Sequence, residues 1–371
     1  MNPQECCVLI PSLSPDERLP EYVQTLRGAG FGLVLVVDDG SAESYQEIFS
    51  RIAAWPGCHV LHHGVNRGKG AALRTGFAYI QESTAMQGVI CADSDGQHTV
   101  PDTLKLAAAL GDNQELLLGS RDFSLRSKQV PPKSRIGNRI TSCVFRLLYG
   151  QWLPDTQTGL RAFPRGLIDF MLRVKGDRFE YEMNQLIHCA GRHVPMRAIS
   201  IETVYHDENK GTHFHPIRDS WRIYKLLLGN FFKFMSASVL ATIVDLLLFA
   251  ALDRWVFVGG AAVPNFLLPL ARRFPRLMTK LPANATARVC SAALNYRLNK
   301  SFVFQLKKSK GAPLKYFLLC VGVLLTSSLL QALLGSALPR MNATVLKAII
   351  DTILYFVNYR IQKAWIFPAE D

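Results

Sequence analysis

The chain has 371 residues, of which 49% are hydrophobic, and it carries a formal net charge of +13 at pH 7. This length allows about two domains, and the positive charge favours an anionic partner such as a phospholipid surface or a phosphorylated substrate. The sequence contains no zinc-finger spacing, RNA-binding signature or basic repeat, which disfavours nucleic acid as a partner. Eight scattered cysteines predict reduced thiols facing the cytosol, and the N-terminal residues predict no cleavable signal peptide.

Short apolar runs alternate with helix-like spacing through about the first 225 residues. We predict strands at 7–10, 32–37, 60–61, 89–92 and 115–118, and helices at 19–29, 43–54, 71–81 and 101–110. Regular alternation of this kind predicts an α/β domain in which helices cover both faces of a parallel sheet. Ligands of such sheets bind beyond the carboxyl ends of the strands, so functional residues are expected at those ends.

Two carboxylates follow the predicted strand that ends at Ala92. Asp93 and Asp95 are two residues apart, so in an extended chain their side chains lie on one face. They repel each other unless a cation lies between them, and oxygen ligands suit Mg²⁺ or Mn²⁺. Gln97 adds a neutral oxygen on the same side. The pattern predicts a divalent metal site, with a solvated acidic turn as the alternative.

Three other polar motifs lie at the ends of predicted strands or at a helix start. Asp38 and Asp39 can accept hydrogen bonds from a base or a ribose, or they can simply form a turn. The loop 66–70 contains Lys69 between two glycines and leads into a helix, an arrangement that suits contact with a diphosphate. A solvated lysine is the alternative there, and the spacing is not that of a Walker loop. Arg121 follows another strand and can grip a phosphate through two N–H groups.

Together these motifs resemble glycosyltransferase family 2. The resemblance is carried by residues 9–12, 37–41, 66–71, 93–98 and 119–121. The likeness is greatest to the dolichyl- or polyprenyl-phosphate sugar synthases, which have the nucleotide-diphospho-sugar transferase (GT-A, Rossmann-like) fold. It implies a domain over residues 1–227 that moves a sugar from a nucleotide-sugar, of the UDP-glucose or GDP-mannose type, to polyprenyl phosphate.

The resemblance also implies roles for individual residues. The nucleotide site would contain Pro11, Leu13, Glu17, Val37, Asp38, Asp39, Lys69, Asp93 and Ser94. Asp93, Asp95 and Gln97 would hold Mg²⁺ or Mn²⁺, while Asp95, Arg121 and Arg135 would act in catalysis. The family usually has an aromatic-Asn-Glu motif after the first strand, where this chain has residues 13–17 instead. Which acidic residue contacts the donor there stays open.

Residues 131–150 add the acceptor side of the predicted site. Apolar residues recur at helical spacing and arginines occupy other faces, which predicts a basic amphipathic helix at an anionic membrane surface. A helix that packs on the core is the alternative. In the resembling enzymes an arginine here meets the lipid phosphate, and Arg135 is the positional match, with Arg139 one turn later. Lys210 and His213 are further candidates for contact with the acceptor phosphate.

The last 140 or so residues contain long apolar runs. We predict four membrane spans, at 231–252, 284–304, 315–338 and 343–367. Residues 295–304 match residues 358–367 nearly position by position, which predicts two tandem helical hairpins. This region, 228–371, resembles the GtrA-like family of four-helix membrane proteins.

The orientation follows from the first domain, because nucleotide-sugars are cytosolic and the link between the two domains is short. Lysines and arginines lie between the hairpins and near residue 360, but also in the loop after the first span. We therefore expect the catalytic domain on the cytoplasmic face of the inner membrane. Asp245 and Asp351 lie within spans and are expected to face the bundle interior, for helix pairing or for movement of a polar headgroup.

The sequence therefore predicts an inverting, metal-dependent glycosyltransferase of cell-wall or polysaccharide biosynthesis. The acceptor phosphate is already ionised, so the reaction needs no protein base. One alternative is transfer to a saccharide or protein acceptor, which would require a base. Another is a non-catalytic partner that scaffolds or translocates a lipid-linked sugar, although the intact Asp93 and Asp95 motif argues against it. A homo-oligomer is compatible with the sequence.

Overall fold

The computed structural model describes residues 1–111, 113–123, 130, 132–202, 216–256, 275–304, 311–337 and 341–367. The chain divides into two compact units, Met1–Leu227 and Leu228–Asp371. The candidate acceptor residues Lys210 and His213 lie outside the described residues.

The first unit contains a seven-stranded sheet with the strand order β3-β2-β1-β4-β6-β5-β7. Its strands are β1 Cys6–Ser12, β2 Leu33–Asp38, β3 Cys58–His62, β4 Gly88–Cys91, β5 Leu116–Ser120, β6 Arg161–Pro164 and β7 Met196–Ser200. The five predicted strands are confirmed to within a few residues, whereas β6 and β7 were not predicted.

The prediction of a wholly parallel sheet is wrong at β6, which runs antiparallel to both β4 and β5. This strand has only four residues, Arg-Ala-Phe-Pro, with two apolar side chains between an arginine and a proline. So short a run gives no strand signal by hydropathy, because its position depends on pairing with distant strands rather than on local pattern.

Helices cover both faces of the sheet, as predicted. They are α1 Arg18–Gly28, α2 Gln46–Ala53, α3 Lys69–Ser83, α4 Val100–Ala109, α5 Pro132–Tyr149, α6 Ile168–Arg173 and α7 Glu180–Gly191. Val8 and Ile10 of β1 lie in a core with α1, α2 and α4, whereas Leu9 lies in the opposite core with α3, α5, α6 and α7. Central strands buried on both faces explain the continuous apolar runs in the sequence.

The register of the strands brings their carboxyl ends to one edge of the sheet. Ser12 of β1 pairs with Asp38 of β2, and Leu9 pairs with Cys91, the last residue of β4. Because β6 is antiparallel to both β4 and β5, those two strands run in the same direction. The residues that follow β1, β2, β4 and β5 form what we call the strand-end edge, which is where ligands of α/β sheets bind.

The second unit is helical. Its helices are α8 Pro216–Ala251, which begins within the first unit, α9 Pro275–Leu298, α10 Ala312–Ala337 and α11 Ala343–Ile361. Short π-helical turns, Leu252–Val256, Asn299–Val303 and Gln362–Ile366, follow α8, α9 and α11. Of the helices described, one is long and apolar enough to cross a membrane, Tyr224–Ala251, with a mean hydropathy of 2.1. The other three spans coincide with helices and stay predictions.

The two copies of the sequence repeat contact each other at equivalent positions. Asn299 and Gln362 occupy the same position in the two copies, and the Asn299 amide donates to Gln362 Oε1 at 3.0 Å. Both side chains are buried. Phe304 and Phe367 are also equivalent, and their rings stack with centroids 5.1 Å apart. The repeat in the sequence therefore corresponds to a repeat in the packing.

Each hairpin also contains an aspartate that accepts a hydrogen bond from a serine hydroxyl. Ser291 donates to Asp245 at 2.9 Å, and Ser327 donates to Asp351 at 2.6 Å. Arg288 lies 3.4 Å from Asp245. The Asp245 side chain is buried, as expected, but Asp351 is exposed, so the expected inward orientation holds for only one of the two. Both hydrogen bonds join neighbouring helices, which supports a role in helix pairing.

Candidate active site

The loop between β4 and α4 holds the acidic pair at the strand-end edge. Asp95 Oδ1 accepts a hydrogen bond from the backbone N–H of Gln97 at 3.0 Å, and Gly96 has a φ of +75° that turns the loop. Burial, together with the nearby charge of Asp93, raises the pKa of Asp95. A carboxylate disfavoured in its charged form by a second carboxylate is the electrostatic environment that a bound cation relieves.

Asp93 is already paired with a lysine and a histidine. Lys69 Nζ lies 2.6 Å from its Oδ1, and His98 Nε2 lies 3.3 Å from its Oδ2. Burial alone would raise the pKa of Asp93, but Lys69 foremost and then His98 outweigh it and hold that pKa well below its usual range. A Cβ on Gly159 would lie 2.2 Å from Asp93 Oδ2, so the carboxylate occupies space that only a glycine leaves.

Lys69 also pairs with Glu182 of α7, and its Nζ is 3.0 Å from both Glu182 oxygens. Burial would lower the pKa of Lys69, but Asp93 and Glu182 outweigh it and raise that pKa. The side chain expected to contact a diphosphate is thus held between two carboxylates at the strand-end edge.

Two backbone amides of the loop 66–70 are engaged by an internal carboxylate, and contact of this loop with a diphosphate stays a prediction. The buried carboxylate of Asp39 accepts from the N–H groups of Arg67 at 3.0 Å and Gly68 at 2.7 Å. His63 Nδ1 lies 2.8 Å from the same carboxylate. A side-chain carboxylate therefore satisfies two N–H donors just before the start of α3.

The glycines of this loop have a packing role instead. Gly68 has a φ of +100°, and a Cβ there would lie 2.3 Å from the carbonyl oxygen of Asp177. A Cβ on Gly70 would lie 2.5 Å from the Cβ of Tyr181. Both glycines allow the start of α3 to approach the start of α7, which brings Lys69 to Glu182.

Asp38 is buried and fully engaged within the protein. It accepts from the backbone N–H of Ser41 at 2.8 Å and from the Gln46 amide at 3.0 Å, and His62 Nδ1 lies 3.0 Å away. Burial would raise its pKa, but these hydrogen bonds outweigh it and hold that pKa below its usual value. The contacts support the turn-forming alternative for Asp38.

The remaining residues of the predicted nucleotide site differ in exposure. Pro11 and Val37 are buried, and Val37 belongs to the hydrophobic core rather than to the surface of the site. Leu13 and Ser94 are half-buried at the strand-end edge. Glu17 is exposed at the start of α1 and pairs with Arg51.

The other acid of that segment, Asp16, pairs with Arg18 at 2.6 Å, and the hydrogen bonds from Arg18 outweigh burial and lower its pKa. The choice between Asp16 and Glu17 therefore stays a prediction.

Arg121 grips a carboxylate in the structure. Its Nε and Nη2 lie 2.7 and 3.1 Å from the two oxygens of Asp155, whose side chain is fully buried. The two-point geometry predicted for a phosphate is thus used on Asp155, which the sequence had not assigned a role. Contact between Arg121 and a donor phosphate would require the arginine to leave or share this partner.

Helix α5 is apolar on its exposed side. Ile136, Ile140 and Leu147 are 61%, 49% and 42% exposed, whereas Asn138 and Phe145 are buried. Arg139 and Arg146 are exposed on the same helix, and Arg135 is half-buried near its start. The apolar residues that recur at helical spacing therefore do not all face the core. Leu148 is buried in the core and Val144 is half-buried, whereas the two isoleucines are exposed. Exposed isoleucines beside exposed arginines are typical of a helix at an anionic membrane surface.

Family comparisons agree with this architecture. A family model described as glycosyl transferase family 2 matches residues 7–170, and one described as GtrA/DPMS, transmembrane domain, matches residues 233–367. The chain joins a family 2 glycosyltransferase domain to a GtrA/DPMS transmembrane domain. The sheet and the family match together confirm the predicted fold class, and the chain is a glycosyltransferase.

Several known proteins are similar to the family 2 domain. Glycosyltransferase AglJ of Haloferax volcanii is 29% identical over 60% of this chain and 71% of its own length. A UDP-N-acetylglucosamine–dolichyl-phosphate N-acetylglucosaminyltransferase of Methanococcus voltae is 25% identical, over 53% of this chain and 85% of its own.

An undecaprenyl-phosphate 4-deoxy-4-formamido-L-arabinose transferase of Salmonella paratyphi A is 23% identical, over 71% of this chain and 75% of its own. The crystal structure of glucosyl-3-phosphoglycerate synthase from Mycobacterium tuberculosis with Mn²⁺, UDP and glucosyl-3-phosphoglycerate gives a TM-score of 0.46 at 16% identity, covering 60% of this chain and 78% of that one.

The acidic pair of the family 2 domain fits a divalent cation. Within the described residues no three His, Cys, Asp or Glu side chains gather into a complete metal cage. Mg²⁺ is commonly bound by one or two carboxylates together with substrate phosphates, so Asp93 and Asp95 form a sufficient protein contribution. His98 contacts Asp93 through Nε2, and its buried Nδ1 has no hydrogen-bond partner within the described part of the chain.

Three residues of this site were not predicted to act there, namely Glu182, His98 and Asp155. His98 lies within 93–98, one of the stretches that resemble the family, so a signal was present for that residue. The pairings themselves were hidden because Lys69 and Glu182 are 113 residues apart, and Arg121 and Asp155 are 34 apart.

Proposed function

We propose that this glycosyltransferase moves a sugar from a nucleotide diphosphate donor to the phosphate of a polyprenyl lipid. The observation that carries the proposal is the acidic pair Asp93 and Asp95 in a family 2 domain joined to a GtrA/DPMS transmembrane domain. The names of the Methanococcus and Salmonella relatives specify dolichyl phosphate and undecaprenyl phosphate, which supports this class of acceptor.

On the donor side, Asp93, Asp95 and Gln97 would hold Mg²⁺ or Mn²⁺ at the end of β4. A cation bound there supplies positive charge to the departing nucleoside diphosphate. Lys69 lies next to Asp93 and adds a second positive charge at the same edge. Leu13 and Ser94, both half-buried there, are available to contact the nucleotide.

On the acceptor side, the lipid phosphate attacks the anomeric carbon of the sugar as the bond to the donor diphosphate breaks. A single displacement of this kind inverts the anomeric configuration, and the phosphate oxygen gives up no proton. Arg135 and Arg139 on α5 would bind the acceptor phosphate. The exposed isoleucines and arginines of α5 support acceptor binding at a lipid surface.

We further propose that residues 228–371 cross the inner membrane four times and keep the catalytic domain on the cytoplasmic face. The long apolar helix Tyr224–Ala251 and the family match over residues 233–367 support membrane association. The paired repeat at Asn299 and Gln362 supports two hairpins of the same orientation.

The experiment supplies the purified full chain with radiolabelled UDP-glucose, GDP-mannose or other nucleotide-sugars in vesicles containing undecaprenyl phosphate. We expect label from at least one donor to enter the organic phase only when the lipid phosphate is present. Label that appears instead on an added oligosaccharide would replace this acceptor with a saccharide. Failure of every donor to react would favour the non-catalytic alternative.

A further inference from the structure

A lysine, Lys69, contacts one of the two carboxylates proposed to bind the metal. Lys69 Nζ lies 2.6 Å from Asp93 and 3.0 Å from both oxygens of Glu182. The side chains of Lys69 and Glu182 are only 17% and 14% exposed, while Asp93 is 30% exposed. A divalent cation that binds Asp93 must therefore compete with the ammonium group of Lys69.

Glu182 is held firmly in its position. Arg161 is fully buried, and it donates to the carbonyl oxygen of Glu182 at 2.6 Å and to the side chain of Gln185 at 2.9 Å. The contact of Gly70 with Tyr181 fixes the start of α3 against the same turn of α7. Lys69 and Glu182 thus belong to two helices that are packed together.

Asp93 is positioned differently, because it lies in a loop between β4 and α4 rather than within a helix. It touches Lys69, His98 and the glycine at position 159. Of the two carboxylates that hold Lys69, Asp93 is therefore the one that can exchange its partner.

We propose that Lys69 is the resident counter-ion of Asp93 before the donor binds, and that Glu182 retains Lys69 when a divalent cation takes its place. Glu182 is then a positioning residue that sets how strongly Lys69 competes for Asp93. The inference rests on the proposed metal site of the transferase. It assigns to Glu182 a task that neither the family matches nor the sequence pattern specifies.

The inference predicts opposite effects for the two partners of this pair. Lys69→Gln removes the competing cation, so Mn²⁺ should bind the nucleotide-free protein about tenfold more tightly, since a neighbouring opposite charge changes the proton affinity of a carboxylate by 10-fold or more. Among the described residues, Glu182→Gln leaves Asp93 as the one carboxylate partner of Lys69, so Mn²⁺ should bind several-fold more weakly. The double variant should resemble Lys69→Gln, because Glu182 acts only through Lys69.

The experiment measures the dissociation constant of Mn²⁺ from the full chain in detergent, by the electron paramagnetic resonance signal of free Mn²⁺, without nucleotide or lipid. Lys105→Gln is the matched control, since Lys105 pairs with the buried Asp102 at 2.6 Å outside the site. It should leave the constant within about twofold of wild type. Lys69→Arg keeps the charge and should stay near wild type, which separates competition from loss of fold.

Two results would overturn the inference. Weaker Mn²⁺ binding in both Lys69→Gln and Glu182→Gln would mean that the pair only supports the fold, and unchanged binding in both would mean that Lys69 does not compete. Asp95→Asn distinguishes these from failure of the metal site. If that variant binds Mn²⁺ as wild type does, the proposed site itself is wrong and the inference falls with it. If Asp95→Asn weakens Mn²⁺ binding while Lys69→Gln and Glu182→Gln do not change it in opposite directions, the metal site stands and only the role of Lys69 and Glu182 is wrong.

Discussion

Two regions of the molecule contain aspartates that are engaged by other side chains, and the partners of those aspartates differ between the two regions. In the family 2 domain, Asp93 is paired with an ammonium group and an imidazole, and its neighbour Asp95 has a raised pKa. In the transmembrane domain, Asp245 and Asp351 accept hydrogen bonds from serine hydroxyls at 2.9 and 2.6 Å, and the largely exposed Arg288 lies 3.4 Å from Asp245. A hydroxyl ties two helices together, whereas a paired cation can be replaced by another cation. On the proposed metal site, we expect the acidic pair to exchange its cation, whereas the membrane aspartates join neighbouring helices.

A third arrangement is the ion pair in which Arg121 binds the buried carboxylate of Asp155. Arg121→Ala would leave the fully buried Asp155 without its cation, and removing one partner of a buried pair typically costs about 3–5 kcal/mol. We expect the largest loss of stability here, measured as the unfolding free energy of the full chain in detergent.

The control for Arg121 is Arg139→Ala, which removes an exposed arginine of α5 and should change stability by about 0.5 kcal/mol or less. Normal stability of Arg121→Ala combined with slow turnover would show that Arg121 serves the donor phosphate rather than Asp155.

Asp95→Asn tests the proposed metal site of the family 2 domain. We expect turnover to fall by about 100- to 1,000-fold, the usual effect of removing one electrostatic stabiliser of a departing group. Burial and the charge of Asp93 raise the pKa of Asp95 above its unfolded value, so ionisation of Asp95 opposes folding at neutral pH. Stability from this group therefore grows as the pH falls through the folded pKa, and the neutral asparagine should not lower the melting temperature at pH 7.

The same variant gives a second readout through metal binding. Mn²⁺ should raise the melting temperature of the wild-type chain, because a ligand of the native state stabilises it, and should raise that of Asp95→Asn much less. Wild-type turnover of the variant in the presence of EDTA would contradict the assignment of Asp95 as a metal ligand.

Arg135→Ala separates the acceptor from the donor. A hydrogen bond to a charged group contributes about 1.5–3 kcal/mol, so the Michaelis constant for undecaprenyl phosphate should rise at least about tenfold. The affinity for the nucleotide should change little. Arg146→Ala, on the exposed side of the same helix, is the control and should have a smaller effect. An equal loss of nucleotide affinity would defeat this division between the two substrates.

Asp351→Asn tests whether this aspartate only joins two helices, and we expect it to have the smallest effect on stability and on sugar transfer. An asparagine oxygen can still accept the hydroxyl of Ser327, and hydrogen bonds between membrane helices average about 0.6 kcal/mol. Stability should change by less than about 1 kcal/mol, and sugar transfer should stay at the wild-type rate. Loss of transfer comparable to that of Asp95→Asn would show that the membrane aspartate takes part in the reaction.

The sequence located the strand-end edge because each central strand is a continuous apolar run that ends at a polar residue. It also located Asp93 and Asp95, since both acids follow one such run directly. It did not reveal that Asp39 satisfies the amides of Arg67 and Gly68, because a loop rich in glycine and lysine looks the same whether its anion is internal or external. Strand β6 was missed for a related reason, because its position depends on two distant strands.

Charge pairing over long separations was the other part that local patterns could not predict. Lys69 meets Glu182 only because α3 and α7 pack together through Gly70 and Tyr181. Sequence spacing carries no information on such a contact. The internal repeat of the second unit is the opposite case, since matching residues predicted a duplicated hairpin and the structure pairs Asn299 with its counterpart Gln362.

The most direct test of the proposed reaction is the structure of its lipid product. The full chain would be incubated with Mn²⁺, undecaprenyl phosphate and a reactive nucleotide-sugar, and the lipid would be analysed by mass spectrometry and by NMR of the anomeric centre. We expect one sugar joined through the lipid phosphate, with the anomeric configuration opposite to that of the donor. Retention of the donor configuration, or a sugar attached to anything other than that phosphate, would contradict direct attack by the lipid phosphate.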